Sequence, residues 1–419
     1  MATDADQQLS SLKTLLGEVL PANRFYAAKL ANVDTHIASL DEFSRSFPFT
    51  TKQELIADQQ RYPPFGSNLT YPLGRYTRFS QTSATSGKPM RWLDTPESWE
   101  WMLNNWIRVF QASGVTSADR IFFAFSFGPF LGFWTAFDAA SRLGCLAIPG
   151  GGMRSAARLG TLIDISATVL CCTPTYAIHL AEVAAEEEID LGASKVRTIL
   201  VAGEPGGSIT GTRNQIERLW PGAQVVDHHG MTEVGPVSYG CLQRPGVLHI
   251  IESGYIAEVI DATTGAPVKR GGTGELVLTN LGRTGSPLIR YRTGDIVQTS
   301  AAPVCECGST DLALEGGILA RTDDMVVVRG VNVFPAAIED ILRTDGGVAE
   351  YRVRIAEKRG LIELSIEIEP EAHASGDPHL VHRIEAALRN ALALRVPLSI
   401  VPAQSLPRFE MKAKRWIRE

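Results

Sequence analysis

The chain has 419 residues, 44% of them hydrophobic, and a mean hydropathy of +0.01. That is too long for one typical domain and apolar enough to bury more than one core. With 40 Lys+Arg against 46 Asp+Glu the formal charge is −6, so no electrostatic case exists for nucleic acid or an anionic membrane as partner. The start Met1-Ala2-Thr3-Asp4-Ala5-Asp6 is acidic and polar, unlike a secretory signal, and the apolar runs are broken well short of a membrane span. Six cysteines in a chain this long suggest no disulfide framework, so a reducing cytoplasm is expected.

In chain order, residues up to about 60 carry helical spacing, through 9–20 and again through 30–43. The run Phe47-Pro48-Phe49-Thr50-Thr51-Lys52 breaks it, and Thr50 or Thr51 offers a cap for the next helix. From 121 onward, strand patterns at 121–125, 146–149, 169–172, 196–202 and 224–227 alternate with helical ones at 130–143, 159–165, 176–188 and 214–220. Such alternation, with strands nearly continuous in apolar residues, predicts an α/β fold in which parallel-type sheets are covered by helices. After 240, short strands at 255–260, 274–278 and 295–298 lie between Gly, Pro and Thr turns, which reads as a β-rich subdomain over 240–320. A strand at 325–328, a helix opened by Pro335, an alternating strand at 361–367 and an amphipathic helix at 380–394 predict a small α+β domain. The expected division is a large domain over 1–322 and a small, mobile one over 323–419.

Several segments carry chemistry-bearing residues. Thr82-Ser83-Ala84-Thr85-Ser86-Gly87-Lys88-Pro89 offers hydroxyls, a flexible glycine and a cation, which suit a polyphosphate, although the spacing is not the Walker one. Gly203-Glu204-Pro205 and Asp227-His228-His229-Gly230-Met231-Thr232-Glu233 each follow a predicted strand, where open α/β sheets place ligand loops. Then come Tyr291-Arg292-Thr293-Gly294-Asp295, Arg321-Thr322-Asp323-Asp324 and, last, Met411-Lys412-Ala413-Lys414-Arg415. Singly, each reads equally as an ordinary turn or a solvated tail.

In this order, the segments resemble the acyl-adenylate-forming enzymes, and among them the phenylacetate–CoA ligase family, from about Phe47 to the end. The resemblance implies an enzyme, a ligase that forms an acyl-AMP from ATP and an aromatic carboxylic acid and then transfers the acyl group to coenzyme A. It makes Thr82, Ser83, Thr85, Ser86, Gly87 and Lys88 the phosphate loop, with Ala84 and Ser86 departing from the family's glycine and threonine. Gly203, Glu204 and Pro205 would lie along adenine. Thr232 would touch the α-phosphate, Glu233 would hold Mg²⁺, and Asp295 with Arg321 would take the ribose; Asp227 and His229 belong to the same nucleotide set, with His229 where relatives commonly stack a tyrosine. Asp323 is the implied hinge, Gly330 the implied pantetheine contact, and Lys412 the implied catalytic lysine, with Lys414 the near alternative and Met411 in place of a glycine. A cation there stabilises charge that builds at the α-phosphate in the transition state.

Two further groups complete the reading. Cys241, His249, Cys305 and Cys307 are soft donors suited to a tetrahedral structural Zn²⁺; their spacing alone leaves the question open, and the family likeness favours a metal. Phe127, Phe130 and Phe133, with His228 and Gly230, are expected around the acid, favouring a compact aromatic acid such as benzoate or anthranilate. A carrier-protein phosphopantetheine is the alternative acceptor, and a non-catalytic nucleotide- or zinc-binding module is a rival of another class. A homodimer is compatible with this reading.

Overall fold

The computed structural model describes residues 4–82, 89–322, 324–328, 331–358, 361–409 and 412–418. Four helices open the chain, Asp4–Val19, Arg24–Lys29, Leu40–Ser46 and Lys52–Arg61. The last begins in a capping box, because Thr51 accepts from the Glu54 backbone N–H while the Glu54 side chain accepts from that of Thr51. These helices pack Leu12, Leu15, Leu16, Tyr26 and Phe43 into a satellite core against Ile256, Leu281 and Ile289 of the β-rich region.

A five-stranded parallel sheet forms the centre, in the spatial order 146–149, 120–123, 169–172, 198–201, 224–227. Its strands are short and apolar, and Val169–Cys172 and Thr198–Val201 are buried at every position. Such strands need cover on both faces. One face packs Leu159, Tyr176, Ala181, Ile216 and Trp220 from the helices Ser155–Asp164, Pro174–Glu186 and Thr210–Leu219 and the turn after it. The other meets the helices Pro96–Ala112 and Leu131–Leu143 in the main core. Helix Pro96–Ala112 starts with Thr95 capping Ser98 N and Pro96 in its first turn.

Beyond Gly235 the chain builds a six-stranded antiparallel sheet, whose strands Tyr291–Thr299 and Ala313–Arg321 are long and adjacent. The second sheet of the large part is therefore antiparallel, and it is where the β-rich texture of 240–320 comes to lie. The C-terminal part carries its own apolar cluster, with Val333, Ile338, Leu342, Val353, Ile366, Ile368, Ile384 and Leu388 packed between a four-stranded mixed sheet and helices Pro335–Asp345 and Leu380–Leu392. Among the described residues, no helix is long and apolar enough to cross a membrane.

Candidate active site

The carboxyl ends of the parallel strands, the antiparallel sheet and the C-terminal lobe meet at one cleft. Strand Tyr291–Thr299 pairs with Ala313–Arg321 in a register that sets Asp295 opposite Arg321. Arg321 donates to Asp295 Oδ1 at 2.9 Å, and His229 Nε2 lies 3.0 Å from Oδ2. Asp295 is 2% exposed, so both oxygens of a buried carboxylate are already aimed and neutralised. The His229 backbone is fixed from Ser238, whose hydroxyl accepts its N–H at 3.0 Å.

Asp227 ends its strand facing inward. It accepts from Ser208 Oγ at 2.5 Å and from the His228 N–H at 3.0 Å, and burial raises its pKa. In this arrangement it ties the turn after Thr198–Val201 to the loop after Gln224–Asp227.

Glu233 is buried, with Lys52 Nζ at 3.5 Å. Its loop is held from behind by a residue that sequence reasoning missed. Arg283 donates to the carbonyls of Thr232 (2.7 Å) and Glu233 (2.8 Å), and its other face forms a bidentate pair with Asp94 at 2.7 and 2.8 Å. Both side chains are fully buried, and every guanidinium nitrogen of Arg283 has a partner, which is what such a buried pair requires. No local signal identifies Arg283, since its partner stands 189 positions away.

Glu204 sits on the turn after the fourth parallel strand and bridges two segments. Oε1 accepts from the Thr175 N–H at 2.9 Å, and Oε2 accepts from the Ala413 N–H at 2.8 Å. Gly203 takes φ +97°, the left-handed region that favours glycine, and lies beside the Lys412 stem: a Cβ there would stand 3.9 Å from Lys412 Cε. Lys412 keeps an exposed flank, yet protein atoms crowd it enough that loss of hydration pulls its pKa below the ordinary lysine value. Glu204, Glu233 and Asp295 oppose that shift and Arg321 adds to it, so all four charges act on the one ammonium. Lys414, by contrast, is exposed.

The residues expected around the acid form an aromatic cluster. Phe125 and Phe133 stack at 4.1 Å and 13°, Phe130 meets Phe133 edge-on at 6.0 Å, and Phe127 meets Trp134 and Phe137 edge-on. His228 is 5% exposed, lies against Trp106 at 4.2 Å, and its Nδ1 is 2.6 Å from the Ser238 carbonyl. That contact requires Nδ1–H as donor and leaves Nε2 as an acceptor. Burial lowers the His228 pKa to about 3, so the ring is neutral at ordinary pH. Gly230 matters because a Cβ there would fall 3.1 Å from Nε2.

Thr82 lies at the base of the hydroxyl-rich loop, exchanging bonds with Met90: its N–H donates to the Met90 carbonyl and its hydroxyl accepts from the Met90 N–H. Ser83, Thr85, Ser86, Gly87 and Lys88, the hinge candidate Asp323 and Gly330 lie outside the described residues. Pro205 is exposed beside Glu204.

The sulfur and imidazole donors of Cys241, His249, Cys305 and Cys307 lie within 4.8 Å of one another. Cys241 Sγ to Cys305 Sγ is 3.9 Å and Cys307 Sγ to His249 Nε2 is 3.5 Å. A tetrahedral zinc with bonds of about 2.3 Å to sulfur spaces its ligands by roughly 3.5–3.8 Å, so the donor set fits. His249 Nδ1, 3.2 Å from the Asp311 carbonyl, is oriented so that Nε2 faces the sulfurs, the usual support for a ligating imidazole.

Comparisons with known proteins agree with this layout. The family model described as AMP-binding enzyme matches residues 82–282, and that described as AMP-binding enzyme C-terminal domain matches 330–419. A phenylacetate-coenzyme A ligase of Escherichia coli (strain K12) is 29% identical over 97% of this chain and 93% of its own. The crystal structure of a 2-hydroxyisobutyryl-CoA ligase in its postadenylation state superposes with a TM-score of 0.92 at 29% identity, covering 98% of this chain and 89% of its own. The same ligase in its thioesterification state gives 0.74, covering 99% and 89%. The two domain matches, the near full-length relative and the whole-chain superposition place this chain among the acyl-adenylate-forming, AMP-binding enzymes of phenylacetate–CoA ligase type, as an AMP-forming acid–thiol ligase.

Proposed function

We propose that this enzyme activates an aromatic carboxylic acid of phenylacetate, benzoate or anthranilate type as an acyl-AMP and passes the acyl group to coenzyme A. The observation that carries the proposal is the convergence of Glu233 and Asp295 on the Lys412 ammonium, and the aromatic cluster of Phe127, Phe130 and Phe133 suits the ring of the acid. Asp295 takes the ribose hydroxyls while Arg321 holds it in place. The loop 82–88 cradles the leaving pyrophosphate, and the Thr232 hydroxyl bonds the α-phosphate. Lys412 stabilises the charge that grows as the acid's carboxylate attacks that phosphate. Glu233, buried with Lys52 alongside, is the carboxylate suited to Mg²⁺, which would neutralise phosphate charge when bound. Removing Lys412 by rotation of the small lobe about Asp323 then opens the site to the pantetheine thiol near Gly330. The Cys241–His249–Cys305–Cys307 set suits a structural zinc.

The neutral His228 acceptor favours an acid with an N–H or O–H donor beside its carboxylate, as in anthranilate. A second reading, a small 2-hydroxy acid, is favoured by the stacking of Phe133 on Phe125, which fills space a ring would otherwise take. A carrier-protein phosphopantetheine presents the same arm as coenzyme A and is the alternative acceptor. The test is acid-dependent AMP release over a panel of aryl, 2-hydroxy and long-chain acids, with coenzyme A or a phosphopantetheinylated carrier as acceptor. Turnover of aryl acids with free coenzyme A is expected. AMP release only with 2-hydroxy acids, or only with a carrier, would replace the substrate or the acceptor.

A further inference from the structure

Several bonds cross between the two lobes. Asp340 accepts from the Gly211 N–H at 3.1 Å, Arg408 donates to Glu182 at 2.9 Å, and Arg415 donates to Thr175 Oγ1 at 3.3 Å. Most lie on the outer surface of the parallel-sheet helices. Glu204 is different, because its bond to the Ala413 N–H fixes the backbone beside Lys412 itself. Its other oxygen is anchored to the Thr175 N–H at the start of helix Pro174–Glu186, so the carboxylate is held on the large lobe whatever the small lobe does.

We propose that Glu204 is a positioning residue that latches the Lys412 segment into the cleft for adenylation and must let go of Ala413 before acyl transfer. This deepens the two-step reading above and rests on it. A carboxylate accepting two backbone N–H groups makes charge-assisted bonds, each stronger than a neutral pair. Only one of the two is lost when the small lobe turns, so the latch favours one lobe arrangement over the other without contributing to both. Its net effect is therefore on the balance between the two half-reactions, which a purely structural carboxylate would not move. Glu204 also provides, of the charges around Lys412, the strongest opposition to the lowering of its pKa, beside Glu233 and Asp295 and against Arg321.

The test compares two half-reactions on the same full-length protein: ATP–pyrophosphate exchange with a turned-over acid, and acyl transfer to coenzyme A from chemically made acyl-adenylate. Glu204→Gln keeps the size of the side chain but presents an amide N–H to one of the two backbone donors. Exchange is expected to fall by about tenfold or more, the loss of one charged hydrogen bond, while transfer stays unchanged or rises. If Glu204→Gln fails to fold, Glu204→Asp, which keeps the charge but shortens the reach, is expected to give the same split at smaller size. Equal loss of both half-reactions, or loss of neither, overturns the latch. Wild-type protein that forms no adenylate with any acid would instead overturn the proposed function, so the two failures are distinguishable.

Discussion

The two parts of the proposed site are built on opposite principles. At the proposed nucleotide end, polar groups from six separate segments meet and already partner one another: His229 and Arg321 on Asp295, Lys52 near Glu233, Glu204 on the Lys412 segment. At the acyl end, aromatic rings pack face to face and edge to face around one neutral imidazole. A preorganised polar end binds a ligand whose chemistry is fixed. A packed aromatic end selects by volume, and swapping one ring there changes the substrate without touching the chemistry.

The contrast can be broken most severely from behind the nucleotide end. Replacing Asp94 by Ala leaves Arg283 a buried cation without its carboxylate and removes the anchor of the guanidinium that holds the Thr232 and Glu233 carbonyls. A loss of about 3–5 kcal/mol in urea unfolding is expected, with pyrophosphate exchange falling even below the denaturation range. Unaltered stability would mean that the pair contributes little beyond its own desolvation.

Next in size is the candidate metal set Cys241, His249, Cys305 and Cys307, which shares no residue with the Asp295–Glu233–Lys412 group and so separates scaffold from chemistry. Purified protein is expected to contain about one zinc per chain, and Cys305→Ser to lose it. The melting temperature should drop while ATP affinity of the remaining folded protein is preserved. Metal-free wild type with an unchanged melt would remove the zinc.

At the acyl end, His228→Leu should cost about 1–3 kcal/mol in kcat/KM, roughly tenfold to a hundredfold, for acids carrying an ortho amino or hydroxyl group. Acids without that donor should be nearly unaffected, which steady-state kinetics on matched pairs would show. An equal loss for both would make His228 a packing residue.

The last effect is spread over pH. His228 has a folded pKa of about 3 against an ordinary 6.5, so the unfolded chain binds a proton that the folded one refuses. Its contribution to stability is whole above about pH 6.5 and is lost as the pH falls toward 3, with a limiting slope of about 1.4 kcal/mol per pH unit. Denaturant titrations at stepped pH should show a flatter profile in His228→Leu.

How much of this was legible in the sequence follows from the same contrast. Strands Leu146–Pro149, Val169–Cys172 and Gln224–Asp227 stand where their apolar runs predict; Val169–Cys172 is buried at every position, which leaves little choice of residue, whereas the edge strand Leu146–Pro149 is legible although Leu146 is exposed. The helix Pro96–Ala112 escapes the reading although Thr95 and Pro96 signal its start. It buries Trp99, Met102, Leu103, Trp106, Val109 and Phe110, a stripe at i, i+3, i+4 and i+7 spacing that the sequence itself displays. Strand Val348–Lys358 also escapes: Tyr351, Val353 and Ile355 alternate with Arg352 and Arg354, whose charges are spent across the sheet on Glu367. At the candidate site, Asp295, Glu233 and Lys412 stand out in the sequence because the family resemblance singles out those positions, and folding brings their charges together. The Glu204–Ala413 bridge and the Arg283–Asp94 support do not, since each joins parts of the chain that only folding brings together.

The central claim is that Lys412 serves the first half-reaction and leaves the second. The direct measurement is Lys412→Ala assayed separately for ATP–pyrophosphate exchange and for acyl transfer from supplied acyl-adenylate to coenzyme A. Exchange is expected to fall by about 10²–10³-fold or more while transfer stays near wild type. Exchange that survives the substitution, or transfer that falls with it in equal measure, would contradict the account.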